Sequence, residues 1–348
     1  MNKKGKKRKR KKNTRFGGLL RFCVKAMILG TVTVVTSLPN SLSLDAAYTP
    51  AYVTSYETPY ENPYENPYKN MSAIPANVTI PPETTVIEPT PLELANEQKN
   101  DGAPLIIGHK GLPTAYFENT VASFQAAADS EAYAGIETDV WFTSDGVPVL
   151  AHDGNPFAGV DKYITEMTYD KVSKLKLYPP KSPYSRKGEA KIATFGEYLN
   201  ICINANKLAF IEIKQPGVSD SQIRKLIDTI KNANYTKSCF FMSFDENTVA
   251  ACKRLAPSSI RVMQLASNSQ PHDVYYYVDN GLSINAADVK SKISEDWGIP
   301  ITAELVDAVH ERGQTIGVWT VNSIERAKEL KALGVDFITT DYSNVGGK

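Results

Sequence analysis

Residues 105–140 read LIIGHKGLPTAYFENTVASFQAAADSEAYAGIETDV. LIIG is an apolar run of strand length, and it stops on His109 and Lys110. ENTVASFQAAADS is a helical stretch, and GIETDV returns as a strand. A strand, a helix and a second strand in this order require parallel pairing through a right-handed crossover.

Outward from this unit the same alternation continues. Further strand candidates are LAFIEIK (208–214), CFFMSF (239–244), IRVMQL (260–265), LSIN (282–285), TIGVWTV (315–321) and DFITT (336–340). Helical stretches such as DSQIRKLIDTIKNA, DENTVAACKRLA, TAELVDAVHERG and SIERAKELKALG lie between most of them. Gly313 and Gly334 stop the last two where a left-handed C-cap belongs. With the first two, eight strands in about 250 residues fit a (β/α)8 TIM barrel over 104–348. A doubly wound sheet is the alternative, and no GxGxxG supports it. Residues 154–193 exceed one strand–helix unit, so they are expected to form an insertion loop near the active-site mouth.

The chain before residue 104 is of different composition. Twelve Lys/Arg and no Asp/Glu fall within residues 1–25; without these the chain holds 27 basic and 38 acidic residues, a net of −11. That balance argues against a nucleic-acid-binding domain. The basic run precedes AMILGTVTVVTSL, thirteen uncharged residues, shorter than the about 20 that span a bilayer as a helix. Residues 1–47 therefore read as an export signal, a cleaved peptide in preference to an uncleaved anchor, and the remainder is expected to be secreted or held at the cell surface. Residues 48–103 carry YENP-type repeats and nine of the 21 prolines, the composition of a disordered linker. Cys23, Cys202, Cys239 and Cys252 show no CxxC and no metal spacing, and the last three read as small core residues.

A barrel of this kind carries its chemistry at the C-terminal ends of the strands. His109 and Lys110 end the first strand, where the lysine charge should disfavour protonation of the histidine. Glu137 and Asp139, spaced i, i+2, share one face of the second. His152 and Asp153 follow it, Glu212 and Lys214 close the third, and Trp319 to Asn322 close the seventh. Two inward carboxylates side by side are costly as bare anions. With Glu212 as a third oxygen donor, the set suits one divalent cation, Mg²⁺ or Ca²⁺, in preference to zinc. His272 and His310 lie in helical stretches and read as structural or surface residues.

The ordered series GHKG, ENTVASFQAA, GIETDV, TSDG, LAHD, LAFIEIK, GVWTVN and GVDFITTD resembles the glycerophosphodiester phosphodiesterase family over 104–343. The resemblance implies the barrel, an enzyme hydrolysing phosphodiesters, and roles for particular residues. Glu137, Asp139 and Glu212 would hold the metal. His109 and His152 would be the acid–base pair. Lys110, Lys214, Glu118, Asn119 and Trp319 would contact substrate. Three departures are Lys110 where the family has arginine, Phe117 where it has proline, and GNPFAGV where it has an arginine–threonine element. Arginine grips phosphate with a planar fork, lysine as a point charge. The implied substrates are glycerophosphodiesters, lysolipids or poly(glycerophosphate) wall polymers, met near membrane or wall. A lysophospholipase D or sphingomyelinase D-like enzyme, and a non-catalytic surface-binding module, remain the alternatives.

Overall fold

A computed structural model describes residues 102–178, 187–291 and 297–346. The export signal expected at 1–47 and the linker expected at 48–103 lie, up to residue 101, outside the described residues, as does 179–186 of the insertion.

Eight parallel strands close on themselves. They are β1 (Leu105–Gly108), β2 (Gly135–Phe142), β5 (Leu208–Ile213), β6 (Cys239–Ser243), β7 (Arg261–Ala266), β8 (Ser283–Ala287), β9 (Ile316–Trp319) and β10 (Phe337–Thr340). Each pairs with its neighbour in that order, and β1 pairs with β10 on one side and β2 on the other. β3 (Pro148–Leu150) folds back antiparallel on the far end of β2, and β4 (Ala193–Thr194) pairs with β3.

Period-two alternation decides what each strand faces. Leu105, Ile107, Leu208, Phe210, Phe240, Met242, Met263, Leu265 and Phe337 fill the barrel interior. Phe210 and Phe240 stack at 4.3 Å, and Phe337 meets both edge-on. This plug makes the lower barrel a packed core, so only the upper layer is free for polar groups. Outward residues such as Ile106, Ile136, Ile211, Phe241 and Ile338 bury the apolar faces of the surrounding helices.

Those helices are α1 (Val121–Ala128), the short α2 (Tyr169–Val172), α3 (Phe195–Asn204), α4 (Asp220–Asn232), α5 (Glu246–Leu255), α6 (Val274–Asp279), α7 (Ala303–Glu311) and α8 (Ile324–Leu333). Thr120, Thr194, Ser219, Asp245, Asp273, Thr302 and Ser323 accept backbone N–H bonds as their N-caps. Gly334 caps α8 in the left-handed region, as its position predicts. α3 and α6 were not among the periodic stretches. VYYYVD is a sequence of strand-like residues that only its Asp273 cap and its packing turn into a helix.

The insertion between β3 and β4 has its own small core of Phe157, Ile164, Met167, Val172, Leu177 and Ile192. It grows from the C-terminal end of β2, and Lys187 donates its N–H to the Ala115 carbonyl at 2.8 Å. The insertion thus reaches the loop after β1, at the mouth, as its length and position suggest.

Candidate active site

β1 ends because its next residues turn left-handed: Lys110 has φ 55° and Gly111 φ 87°. A Cβ on Gly111 would lie 2.5 Å from Ser123 Oγ, so only glycine fits there. This turn aims the Lys110 N–H at Glu137 Oε2, 2.9 Å away, while the Lys110 carbonyl accepts from Ser123 Oγ at 2.9 Å. The Lys110 side chain is buried with its ammonium 3.6 Å from Glu118. Burial disfavours that charge, but Glu118, Asp139 and Glu137 together outweigh it and raise the Lys110 pKa.

Glu137, Asp139 and Glu212 converge as their strand positions require, with one oxygen of each within 4.8 Å of the others, all three buried. A divalent ion with metal–oxygen distances of roughly 2.0–2.6 Å can span such a set. An all-oxygen, acidic donor set fits a hard cation. Lys214 Nζ lies 3.3 Å from Asp139 Oδ1 and 3.2 Å from Glu212 Oε1. Burial and the neighbouring acids push the Glu137 carboxyl well above its usual range. Glu212 is pushed up to about 7, by burial first, with Lys214 opposing and Asp139 adding to it. Asp139 goes the other way: burial would raise it, but Lys214 and Lys110 hold it far below the ordinary value.

Asn119 explains why Asp139 is so well fixed. Its Nδ2 donates to Asp139 Oδ2 at 2.8 Å, and its Oδ1 accepts from Thr138 Oγ1 and from the Asp139 N–H. The Oδ1 and one N–H of its buried amide are committed to β2, so it positions Asp139.

The same three bonds recur at the end of β10. Asn322 Nδ2 donates to Asp341 Oδ2 at 2.7 Å, and its Oδ1 accepts from Thr340 Oγ1 and the Asp341 N–H. Asp341 Oδ1 in turn holds His109 Nδ1 at 2.8 Å. Burial raises the Asp341 carboxyl, but the hydrogen bonds and charge of His109 and Asn322 bring it below the ordinary value. Asp341 and Asn322 went unassigned as site residues. The available signal was the echo of ENT and ETD by VNS and TTD, each Asn preceding a hydroxyl N-cap.

His152 sits at the start of the insertion, its Nδ1 2.9 Å from Asp153 Oδ1. Its pKa is lowered by burial and then by the charge of Lys110. The field of Lys110 therefore reaches His152 across the mouth. Trp319 is half-buried on the opposite side, donating its indole N–H to the Asn285 carbonyl at 3.1 Å. His310 lies in α7 as expected and pairs with Asp336 away from this cluster, whereas His272 stands outside any helix, in the loop between β7 and α6, with its Nδ1 2.9 Å from Glu246.

The family model for glycerophosphoryl diester phosphodiesterases matches residues 109–345, from His109 through the last strand. The chain belongs to this family. It is a phosphodiesterase. The glycerophosphodiester phosphodiesterase of Bacillus altitudinis is 28% identical over 246 residues, covering 68% of this chain and 94% of that one. A phosphodiesterase of the same name from Caldanaerobacter subterraneus is 27% identical over 245 residues, covering 68% and 93%. Among solved structures, the barrel resembles a Parabacteroides distasonis glycerophosphodiester phosphodiesterase, with 23% identity, TM-score 0.54 and coverage of 70% and 95%. It also resembles an Oleispira antarctica phosphodiesterase in complex with its product sn-glycerol-3-phosphate, with 18% identity, TM-score 0.57 and coverage of 73% and 98%. These two likenesses establish the shared barrel fold of the family.

Proposed function

We propose that this phosphodiesterase hydrolyses glycerophosphodiesters to an alcohol and glycerol 3-phosphate, outside the cell, with one divalent cation on Glu137, Asp139 and Glu212. The observation that carries this reading is the buried three-carboxylate cluster flanked by two histidines, each held at Nδ1 by an aspartate. The basic and apolar N-terminal segments support export, and the linker supports presentation near the membrane or wall.

A bound Mg²⁺ or Ca²⁺ would supply Lewis-acid polarisation of a phosphoryl oxygen. The chain's own groups do the rest. Asp341 keeps the proton of His109 on Nδ1, which leaves Nε2 as the acceptor facing the mouth. His109 thereby takes the proton of the attacking oxygen as general base. His152 delivers a proton to the departing alkoxide. Burial and Lys110 disfavour its protonated form in the free protein, and the negative charge of a bound phosphodiester offsets that. Lys110 and Lys214 bring two ammonium groups to the same mouth, where charge grows on the phosphoryl oxygens. The attacking oxygen is that of water or of the substrate's vicinal hydroxyl; a cyclic phosphate in early time points identifies the second.

The test is glycerol 3-phosphate release from glycerophosphoethanolamine, with and without EDTA, for the wild type, H109A and H152A. Chelation and either substitution should remove at least about 100-fold of turnover. A p-nitrophenyl phosphodiester leaves without a proton, so it should rescue H152A and not H109A. Rescue of H109A instead would reverse the two roles, and EDTA-resistant turnover would remove the metal.

A further inference from the structure

His109 and His152 are held in different ways. Asp341, the partner of His109, is itself pinned by Asn322. Asp153, the partner of His152, is its chain neighbour, and its side chain is 78% exposed. An exposed carboxylate orients a side chain only weakly. The order of His152 is therefore set by the backbone that carries it.

That backbone is fixed on both sides. Before the histidine, the Ala151 N–H donates to the Asp139 carbonyl at 3.0 Å, so the chain leaves β3 tied to the strand of the carboxylate cluster. After it, the Gly154 carbonyl accepts from the Ile164 N–H at 2.7 Å, which draws residues 163 and 164 back over residue 154. Gly154 lies against two aromatic rings. A Cβ on it would stand 2.7 Å from Trp141 Cη2 and 2.9 Å from Tyr163 Cδ1. Gly154 has no positive φ, so the rings and not the backbone conformation demand glycine there.

Each ring has its own support. Trp141 follows Glu137 and Asp139 at i+2 spacing, on the same face of β2, and pairs in register with Val149 of β3. Tyr163 precedes a turn of 3₁₀ helix, Ile164–Glu166. Its N–H donates to Glu166 Oε2 at 2.8 Å, and Ile164 is buried in the core of the insertion. Tyr163 itself is 56% exposed, so its ring adds little to that core. One ring thus belongs to the barrel and the other to the insertion, and the residue they grip is two places after the histidine. It opens GNPFAGV (154–160), the segment in which this chain departs from the arginine–threonine element of the family.

We propose that Trp141 and Tyr163 are positioning residues for protonation of the leaving group: closing on Gly154, they hold His152 in a fixed place relative to the carboxylate cluster. The inference rests on the reading of His152 as the acid and adds what keeps it in place. With Mg²⁺ added, kcat would be compared for glycerophosphoethanolamine, whose departing alkoxide needs a proton, and for glycerophospho-p-nitrophenol, whose phenolate does not. Y163A and W141L each remove one ring, and Y163F keeps it. With the acid displaced by about an ångström, Y163A should lose about 10- to 100-fold on the first substrate and less than about twofold on the second. W141L should follow the same pattern, and Y163F should match the wild type on both. A Y163A enzyme with equal losses on the two substrates, or with none, overturns the proposal. H152A separates it from the reading it rests on. If H152A is as impaired on the p-nitrophenyl ester as on the alkyl ester, the acid assignment falls and the proposal with it. If H152A depends on the leaving group and Y163A does not, the clamp alone falls. NMR reads the clamp without turnover: the Gly154 Hα protons lie in the field of both rings, so their resonance should move in Y163A and stay in Y163F. No movement in Y163A overturns the clamp.

Discussion

Asp341→Asn is the sharpest perturbation of this site. Asp341 accepts from two sides: His109 Nδ1 on Oδ1 and Asn322 Nδ2 on Oδ2. The orientation of Asn322 is not free, because its Oδ1 already accepts from Thr340 Oγ1 and the backbone N–H of residue 341. An amide at 341 must therefore either set its NH₂ against that of Asn322 or turn it toward His109. The second choice avoids a donor–donor clash and forces the imidazole into the tautomer with its proton on Nε2, which cannot accept a proton from a nucleophile. The charge-assisted bond alone is worth about 1.5–3 kcal/mol, which is roughly 10- to 150-fold in rate. Loss of the acceptor tautomer adds to this; a His–Asp pair in serine proteases loses about 10⁴ in kcat from the same exchange. The expectation is a fall in kcat of at least about 100-fold with KM changed less than about threefold, by steady-state glycerol 3-phosphate release at saturating metal. Metal affinity, measured by calorimetry, should be unaltered, since Asp341 is not among the three clustered carboxylates. Adding N322A to D341N removes the opposing donor and should recover about tenfold. A D341N enzyme with near-normal kcat, or a double mutant no better than the single, would refute the reasoning.

The raised Glu212 carboxyl gives a pH signature: its stabilising contribution is full below its ordinary 4.5 and is lost as pH rises through about 7, so the metal-free protein is weakened at alkaline pH. A divalent cation neutralises that penalty, so the Tm gain on adding it should be larger at pH 8 than at pH 6 by scanning fluorimetry; a larger gain at pH 6 contradicts the assignment. K110M removes the charge that, after burial, holds down the His152 pKa, so the His152 midpoint in an NMR titration should move up; no movement would show that Lys110 does not act across the mouth. G111A puts a Cβ 2.5 Å from Ser123 Oγ at φ 87°, and should cost more than about 2 kcal/mol in urea unfolding together with most activity. Wild-type stability in that variant would mean the turn after β1 is not held as described.

Much of the site was legible because strands have a strict period of two. Glu137 and Asp139 had to share a face, and Glu212 and Lys214 likewise, once the strand–helix alternation put their ends at one rim. The helix caps and the packed lower barrel follow from equally local rules. Hidden from such reading were residues whose meaning depends on a partner far away in the chain. The resemblance implies Asn119 as a substrate contact, and only the fold shows that its amide also ties the first helix to Thr138 and Asp139 on β2. Trp297 lies in a connection with no periodic pattern, and only the loop after β7 gives it a place.

The sequence by itself determined a strand–helix barrel, its family, and which acidic, basic and imidazole groups crown the strands, since periodicity and residue order are local properties. Only the tertiary structure decided that His109 is held by Asp341, 232 residues further along. Closing the barrel lays β10 beside β1, and the His109 N–H on the Thr340 carbonyl at 2.9 Å. That closure, a consequence of curvature summed over eight strands and not of any one segment, is what turns a histidine at a strand end into an oriented base.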